Sequence, residues 1–323
     1  MTDLNFPEIG LGTAALGNFQ QAITDDDAIA VVDRALARGV RYLDTAPLYG
    51  HGLAERRVGA AVADVPRDDL IVSTKVGRLL REDAPRDESQ YHDGVPFYLD
   101  VPSAGPVWDF SYDGIRRSVE ESLERTGLDR FDILLLHDPD NHLAEAASTG
   151  YAALRDLRAV GTVRAIGAGM NNSKPLTQLV RECELDLVLL AGRYTLLDQS
   201  SLADLLPACA ERGTSVVIGG VFNSGVLVDP APGASFDYIP AADGVVTKAL
   251  AIQEVCKRYD VPLAAAALRF PLAHPQVRTV LVGARTVDEL EMDLGLFETE
   301  IPGALWADLR SAGLIEADVP TPE

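Results

Sequence analysis

Four side chains in the first half of the chain have the types needed to move a proton to or from an oxygen: Asp44, Tyr49, Lys75 and His137. A free tyrosine has a pKa near ~10, too high for a good acid–base group at neutral pH. A neighbouring lysine ammonium stabilises the phenolate, and a buried carboxylate keeps that lysine charged and oriented. Lowering the phenol by about two units takes roughly 2.7 kcal/mol, within reach of one partly buried cation at an effective dielectric of ~20. A neutral histidine beside the tyrosine can donate to a substrate oxygen and fix its direction. Each residue also has a plain structural reading. Asp44 can cap a turn, Lys75 can be a solvated strand end and His137 a satisfied core histidine. What makes the group informative is position: Asp44, Lys75 and His137 close three consecutive strand candidates, and Tyr49 lies just past the first of these.

The elements that must carry them alternate along the chain. Strand candidates fall at 9–14, 42–45, 70–76, 131–137, 163–168, 187–192, 215–219 and 277–282. Several are continuous apolar runs, such as Ile133-Leu134-Leu135-Leu136, as expected when both faces of a parallel sheet are covered. Helical patterns separate them. Thr24 can cap a helix with Ala28, Val31, Val32, Ala35 and Leu36 inward, stopped by Gly39. Ser111 can cap another, with Ile115, Val119 and Leu123 inward and Gly127 at its end, and with Arg117–Glu121 and Glu121–Arg125 pairs on its outer face. Leu154, Leu157 and Val160 repeat the inward pattern before Gly161. Eight strand–helix units predict a (β/α)8 TIM barrel formed by residues 1–323 as one domain. The alternative, a doubly wound sheet, lacks its Gly-x-Gly-x-x-Gly turn after the first strand.

Two stretches break the alternation. Residues 78–110 show no helix or strand period and carry Phe97, Tyr98, Trp108 and Phe110, too many aromatics for a plain linker. Residues 222–243 are similarly irregular. Both follow strands, so both leave from the barrel face where active sites lie, and the first reads as a substrate-covering loop.

The 323 residues are 47% hydrophobic, enough for a sizeable core, and 28 Lys and Arg against 49 Asp and Glu give a net charge of -21. Such a surface repels nucleic acid and anionic lipid. No apolar stretch approaches ~20 residues, and the start lacks the basic and apolar run of a signal peptide. The expected location is the cytoplasm. Cys183, Cys209 and Cys256 have no metal-site spacing and read as buried small hydrophobes, so no metal is expected. Nothing in the sequence sets an oligomeric state.

The segment Tyr42-Leu43-Asp44-Thr45-Ala46-Pro47-Leu48-Tyr49-Gly50, with Glu55-Arg56-Arg57-Val58-Gly59 after it, resembles the aldo-keto reductase signature. Ile71-Val72-Ser73-Thr74-Lys75-Val76 and Ile133-Leu134-Leu135-Leu136-His137 match the family's other two catalytic strands. The resemblance runs from about Ile9 to Phe297. It implies a nicotinamide cofactor extended across the barrel mouth, with Tyr49 as acid–base residue, Lys75 lowering its pKa, Asp44 paired with Lys75 and His137 orienting the substrate oxygen. Segments 190–197, 217–225 and 263–274 look like the branch of bacterial L-fucose (D-threo-aldose 1-) dehydrogenases and pyridoxal 4-dehydrogenases, which oxidise a cyclic hemiacetal to a lactone.

For the cofactor, the resemblance implies Thr13, Asn171, Gly220, Phe222, Asn223, Ser224 and Gly225, and at the adenosine end Gly283, Ala284, Arg285, Glu289 and Asp293. The chain departs from the common pattern at Gly169-Met170, where many members have Ser-Asn, and at Gly219-Gly220, where many have Tyr-Ser. Asn171 can take the carboxamide role or be a turn residue, and Phe222 can supply an aromatic face. Glu289 near the ribose favours NAD over NADP by repelling a 2′-phosphate, although Thr286-x-x-Glu289 is also a capping box. Arg285 can pair with a phosphate. Trp108 is expected to face the substrate, and His51 is a candidate hydroxyl partner or a solvated loop histidine. The expected activity is oxidation of an aldose hemiacetal with NAD. The rivals are pyridoxal oxidation, a broad NADPH-dependent carbonyl reductase and a non-catalytic cofactor-binding regulatory subunit.

Overall fold

The computed structural model describes residues 4–322. Eight parallel strands close into a barrel: β1 (Ile9–Gly12), β2 (Tyr42–Asp44), β3 (Ile71–Val76), β4 (Ile133–His137), β5 (Ala165–Met170), β6 (Leu187–Ala191), β7 (Ser215–Gly219) and β8 (Val277–Val282). Each pairs with its sequence neighbours, and β1 closes the ring against β8 with Ile9 opposite Val280. The eight expected strands are all present. The fifth sits about two residues later than expected, which puts Gly169 and Met170 inside it.

Side-chain alternation divides the barrel into two cores. Inward residues Tyr42, Ile71, Ile133, Leu135, Leu187, Leu189, Val217 and Leu281 fill the lower barrel, with Leu4 packed among them. Outward residues such as Val72, Leu134, Leu136, Val188 and Ile218 pack under the helices. Continuous apolar runs are what such doubly covered strands require.

The helices form where capping and an apolar stripe coincide. In α1 (Asp25–Ala37) the Thr24 hydroxyl accepts from the Asp27 N–H at 3.1 Å, and three aspartates occupy the first turn, where the helix dipole favours them. The next helix, α2 (Leu53–Val62), follows Tyr49 directly. Ser111 caps α3 (Tyr112–Thr126) through the Gly114 N–H, and left-handed Gly127 closes it. Of its outer-face pairs, Glu121–Arg125 forms at long range. Glu121 bonds Arg81 at 3.1 Å and reaches Arg125 only at 4.0 Å, because Arg125 turns to the fully buried Glu55. In α4 (Tyr151–Ala159) Leu154 and Leu157 point inward, but Val160 lies one residue past the last helical position and is 76% exposed.

The two irregular stretches are ordered. Arg78–Arg81 and Gly105–Trp108 form an antiparallel hairpin with Arg78 opposite Trp108, and Tyr91–His92 pairs with Val95–Pro96 above it. Strands this short, 23 residues apart, leave no readable period. In the second stretch Ser235–Phe236 and Ile239–Pro240 pair across a two-residue turn, Asp237-Tyr238, with φ of 53° and 66°. Arg193 holds that turn with two bonds to the Asp237 carboxylate at 2.9 and 2.7 Å.

Among the described residues, no helix is long and apolar enough to cross a membrane, and no group of three or more His, Cys, Asp or Glu could hold a metal. Cys183, Cys209 and Cys256 are free and buried, with thiol pKa values pushed by burial to about 11, 12 and 11.

Candidate active site

Asp44, Lys75 and His137 stand at or next to the C-terminal ends of β2, β3 and β4 and face inward at the top of the barrel. The Lys75 ammonium is fully committed. It donates to Asp44 Oδ2 at 2.6 Å, to the Thr45 carbonyl at 3.0 Å and to Tyr49 Oη at 2.9 Å. Asp44 accepts a further bond from the Ser73 hydroxyl at 2.6 Å, so this buried ion pair leaves little unsatisfied. Tyr49 comes from the turn after β2, and its ring meets the His137 imidazole edge-on with centroids 6.0 Å apart.

Backbone contacts fix that turn. Gly17 lies against the main chain of Tyr49 and Gly50, where an added Cβ would come within 2.5 Å of the Tyr49 carbonyl carbon. The loop carrying Gly17 is held by buried Arg57, which donates to the Leu16 carbonyl at 2.6 Å, the Asn18 side chain at 2.9 Å and the Ile23 carbonyl at 2.8 Å. Thr13 belongs to the same scaffold. Its buried hydroxyl donates to the Asp44 carbonyl at 3.0 Å, which gives it a part in positioning the start of the turn.

Burial and charge act together on the phenol. Burial, followed by the Asp44 charge, pushes the Tyr49 phenol well above its ordinary value, against the smaller opposing pull of Arg78. Lys75 touches the phenol, but Asp44 neutralises its charge at close range, so the pair does not act as a bare cation. Tyr49 is therefore a protonated phenol at neutral pH. Burial, with Arg78 and Lys75 nearby, pushes His137 well below its usual range, so its imidazole is neutral. A protonated phenol beside a neutral imidazole can deliver a proton to a carbonyl oxygen, or take one from a hydroxyl once the phenol ionises.

The other side of the mouth is lined by small residues. Gly169 pairs with His137, Gly12 with Asp44 and Gly219 with Ala191, and Gly283 follows β8. Added Cβ atoms at these four glycines would meet nothing closer than 3.6 Å. This space fits a flat nicotinamide ring beside Tyr49. The neighbouring turn supports such a fit: Gly225 has open space above it, and Asn223, anchored by its amide to the Gly192 carbonyl at 3.1 Å, keeps a buried Oδ1 without a partner. Gly220 is exposed, Phe222 is half-buried against the outer core, and the Ser224 hydroxyl accepts from the Tyr238 N–H at 3.0 Å. Asn171 is exposed just past β5.

At the far end, exposed Gly283 and buried Ala284 lead into α9 (Val287–Phe297), which follows α5 (Ser173–Glu182), α6 (Leu205–Arg212), α7 (Asp243–Lys257) and α8 (Leu263–Arg269). Glu289 accepts from the Arg285 N–H at 2.8 Å and pairs with its guanidinium at 3.2 Å, while its own N–H donates to Thr286. The capping role is thus realised, and Arg285 offsets the charge on which the NAD argument rested. Asp293, one turn along, is half-buried, and burial with the Glu289 charge pushes its pKa up to about 7.

Of the two expected substrate residues, His51 leans on the loop, with Nδ1 3.4 Å from the Pro102 carbonyl. Trp108 lies in the hairpin, stacked on Phe110 at 5.8 Å, with Arg78 3.9 Å above its ring. Sequence reasoning missed Arg78 and Asp138 and, of the aromatic group at the mouth, Phe19 and Tyr238. Tyr238 lies 5.0 Å from Phe19 and 6.0 Å from Phe97, and Tyr98 lies 6.4 Å from Tyr49. These contacts join loops after β1, β2, β3 and β7, so no single-segment pattern carries them.

The aldo/keto reductase family profile matches residues 8–313 of this barrel. The chain belongs to the aldo/keto reductase family. Among its relatives, a D-threo-aldose 1-dehydrogenase of a Pseudomonas species is 44% identical over 99% of this chain and 96% of its own length. A pyridoxal 4-dehydrogenase of Microbacterium luteolum is 37% identical over 97% and 96%. Among solved structures, the holo form of the aldo-keto reductase AKR11C1 from Bacillus halodurans superposes with a TM-score of 0.76 at 27% identity, covering 99% of this chain and 95% of that one.

Proposed function

We propose that this aldo/keto reductase oxidises the cyclic hemiacetal of an aldose of the L-fucose type to its lactone, with NAD as cofactor and residues 1–323 as one catalytic unit. The observation that carries the reading is the Lys75 ammonium held between Asp44 Oδ2 and Tyr49 Oη, with neutral His137 at the edge of the tyrosine ring. Similarity to the D-threo-aldose 1-dehydrogenase supports the substrate class.

A bound nicotinamide supplies the hydride acceptor. Tyr49 and His137 hold the anomeric hydroxyl between them. Ionised Tyr49 takes the hydroxyl proton, and Lys75 stabilises the phenolate while Asp44 keeps the ammonium in place. Because burial holds the phenol protonated at neutral pH, oxidation strengthens as pH rises. The open glycine side of the mouth would receive the nicotinamide, and the 220–225 turn the pyrophosphate. Ionised Asp293 would disfavour a 2′-phosphate, which supports NAD. The free buried thiols are consistent with a cytoplasmic, reducing location.

A second reading, oxidation of pyridoxal, is favoured by the aromatic group Phe19, Phe97, Tyr98 and Tyr238, which would suit a flat ring, and by the 37% identical relative. Initial rates of NADH formation with L-fucose and pyridoxal, side by side at mildly alkaline pH, separate the two. Preference for L-fucose is the expected result. NAD binding with no turnover on either would overturn the reading and favour a non-catalytic cofactor-binding subunit.

A further inference from the structure

We propose that Asp138 and Arg78 form a hydroxyl-reading corner of the substrate pocket that selects a polyhydroxylated ring over a flat aromatic one. The proposal rests on the reading of the Tyr49 site as the place of hemiacetal oxidation, and extends it to the rest of the sugar.

Asp138 directly follows His137 and takes a positive φ of 42°, a conformation uncommon for a residue with a side chain. Its N–H donates to the Gly169 carbonyl at 3.0 Å, which secures the turn across to β5. The turn brings the carboxylate back over the barrel. Oδ2 accepts from Arg78 Nη2 at 2.9 Å and lies 3.5 Å from His137 Nε2. Asp138 also raises the pKa of Tyr49, Tyr98 and Tyr238, so its charge is felt by residues on three different segments around the mouth.

The two members of the pair are buried unequally. The Arg78 side chain is 4% exposed and that of Asp138 is 34% exposed, so the pair turns its acceptor end toward an incoming ligand. Among the described residues no donor reaches Asp138 Oδ1. Arg78 sits 3.9 Å over the Trp108 ring, which stacks on Phe110 and packs against His142 5.2 Å away, so the guanidinium is backed by packed aromatic rings. Its Nε and Nη1 also find no partner, so its bonding capacity is only partly used by Asp138.

A held carboxylate with a free oxygen is an acceptor for hydroxyl groups, and such charge-assisted bonds are among the stronger ones a sugar can make. The selectivity comes from the converse. A ligand without hydroxyls at this corner strips water from Asp138 and returns nothing, and sites built to bond a substrate hydroxyl reject analogues lacking it. Pyridoxal has few hydroxyls to offer, whereas a pyranose carries several.

Two probes test this with NAD-loaded enzyme. One is 1,5-anhydro-L-fucitol, which keeps the ring hydroxyls of L-fucose but has no anomeric hydroxyl to oxidise. The other is 2-hydroxytetrahydropyran, which has the anomeric hydroxyl and no others. Calorimetry should show the wild-type enzyme binding 1,5-anhydro-L-fucitol and Asp138→Asn binding it about 10- to 100-fold more weakly, as expected for bonds to a charged group. In turnover, the loss of kcat/KM on L-fucose should exceed the loss on 2-hydroxytetrahydropyran by at least ~tenfold. Arg78→Lys, which cannot hold the carboxylate through a planar fork, should shift the same ratio in the same direction by a smaller factor. NAD affinity and melting temperature verify that each variant is folded.

Equal losses on both substrates would overturn the proposal, because Asp138 would then act through His137 or the fold. Unchanged binding in Asp138→Asn, or no binding of 1,5-anhydro-L-fucitol by the wild-type enzyme, would also overturn it. If the wild-type enzyme binds 1,5-anhydro-L-fucitol in an Asp138-dependent way yet does not oxidise L-fucose, the corner stands and the proposed function fails.

Discussion

The top layer of the barrel is divided into two unlike halves. Along β2 to β4 it holds Asp44, Lys75 and His137, with Tyr49 above them; along β5 to β8 and β1 it holds Gly169, Ala191, Gly219, Gly283 and Gly12. The first half is crowded, and Lys75 and Asp44 are satisfied almost bond for bond. The second half is backbone and space. Both occupy the same inward register, so the difference lies wholly in side chains. The comparison separates two requirements of hydride-transfer chemistry: an oxygen must be held by fixed polar groups, and a flat ring must approach without obstruction.

Substitutions in the two halves should therefore fail differently. The largest effect is expected from Tyr49→Phe, which removes the proton acceptor and should lower kcat/KM by about 10³-fold while NAD binding, followed by protein fluorescence, stays nearly intact. Lys75→Met should lower kcat/KM by about 10²-fold and also destabilise the fold by about 3–5 kcal/mol, because Asp44 is left buried and unpaired; urea denaturation measures the loss. On the other side, Gly219→Ala should leave melting temperature close to the wild-type value, since a Cβ there makes only ordinary contacts, yet weaken NAD binding about tenfold. If Gly219→Ala instead lowers melting temperature and leaves NAD binding unchanged, the division into a bonded half and an open half is wrong.

Two pH effects sharpen the same picture. The oxidation rate should rise from pH 6 to 9, because the phenol that must ionise is held protonated by burial; a rate flat across that range would contradict the direction found for Tyr49. The smallest effect concerns Asp293, whose pKa of about 7 makes it neutral below that pH and negative above it. The preference for NAD over NADP should grow a few-fold between pH 6 and 8, and Asp293→Asn should remove that part of the rise. The phosphate's own second ionisation near ~6 will remain. Paired binding titrations with the two cofactors measure both terms.

The parts legible in the sequence were those with short-range causes. Strands covered on both faces appear as apolar runs, so Ile133-Leu134-Leu135-Leu136 located β4, and the polar residue ending each run located Asp44, Lys75 and His137. Caps worked for the same reason, since Thr24 and Ser111 act within three residues of themselves. What escaped depends on contacts between distant segments. Asp138 acquires its meaning only when Arg78, 60 positions earlier, is placed beside it. The Arg78–Trp108 hairpin and the Tyr238–Phe19 contact are invisible for the same reason. Glu289 illustrates a subtler case: its type suggests repulsion of a phosphate, and its position at the start of α9 also gives it a partner in Arg285, a contact its type alone does not show.

The contact between Gly17 and the Tyr49–Gly50 main chain has a consequence for how this protein can change. No side chain lies between the two backbones, so the location of the phenol is set by main-chain atoms. Loops around the mouth can exchange their side chains, and with them the molecules admitted, without shifting that oxygen. At Gly17 and Gly50 the reverse holds, since even one added methyl would push the two backbones apart. Diversification of substrate range is therefore cheap over most of the rim and closed at these two glycines.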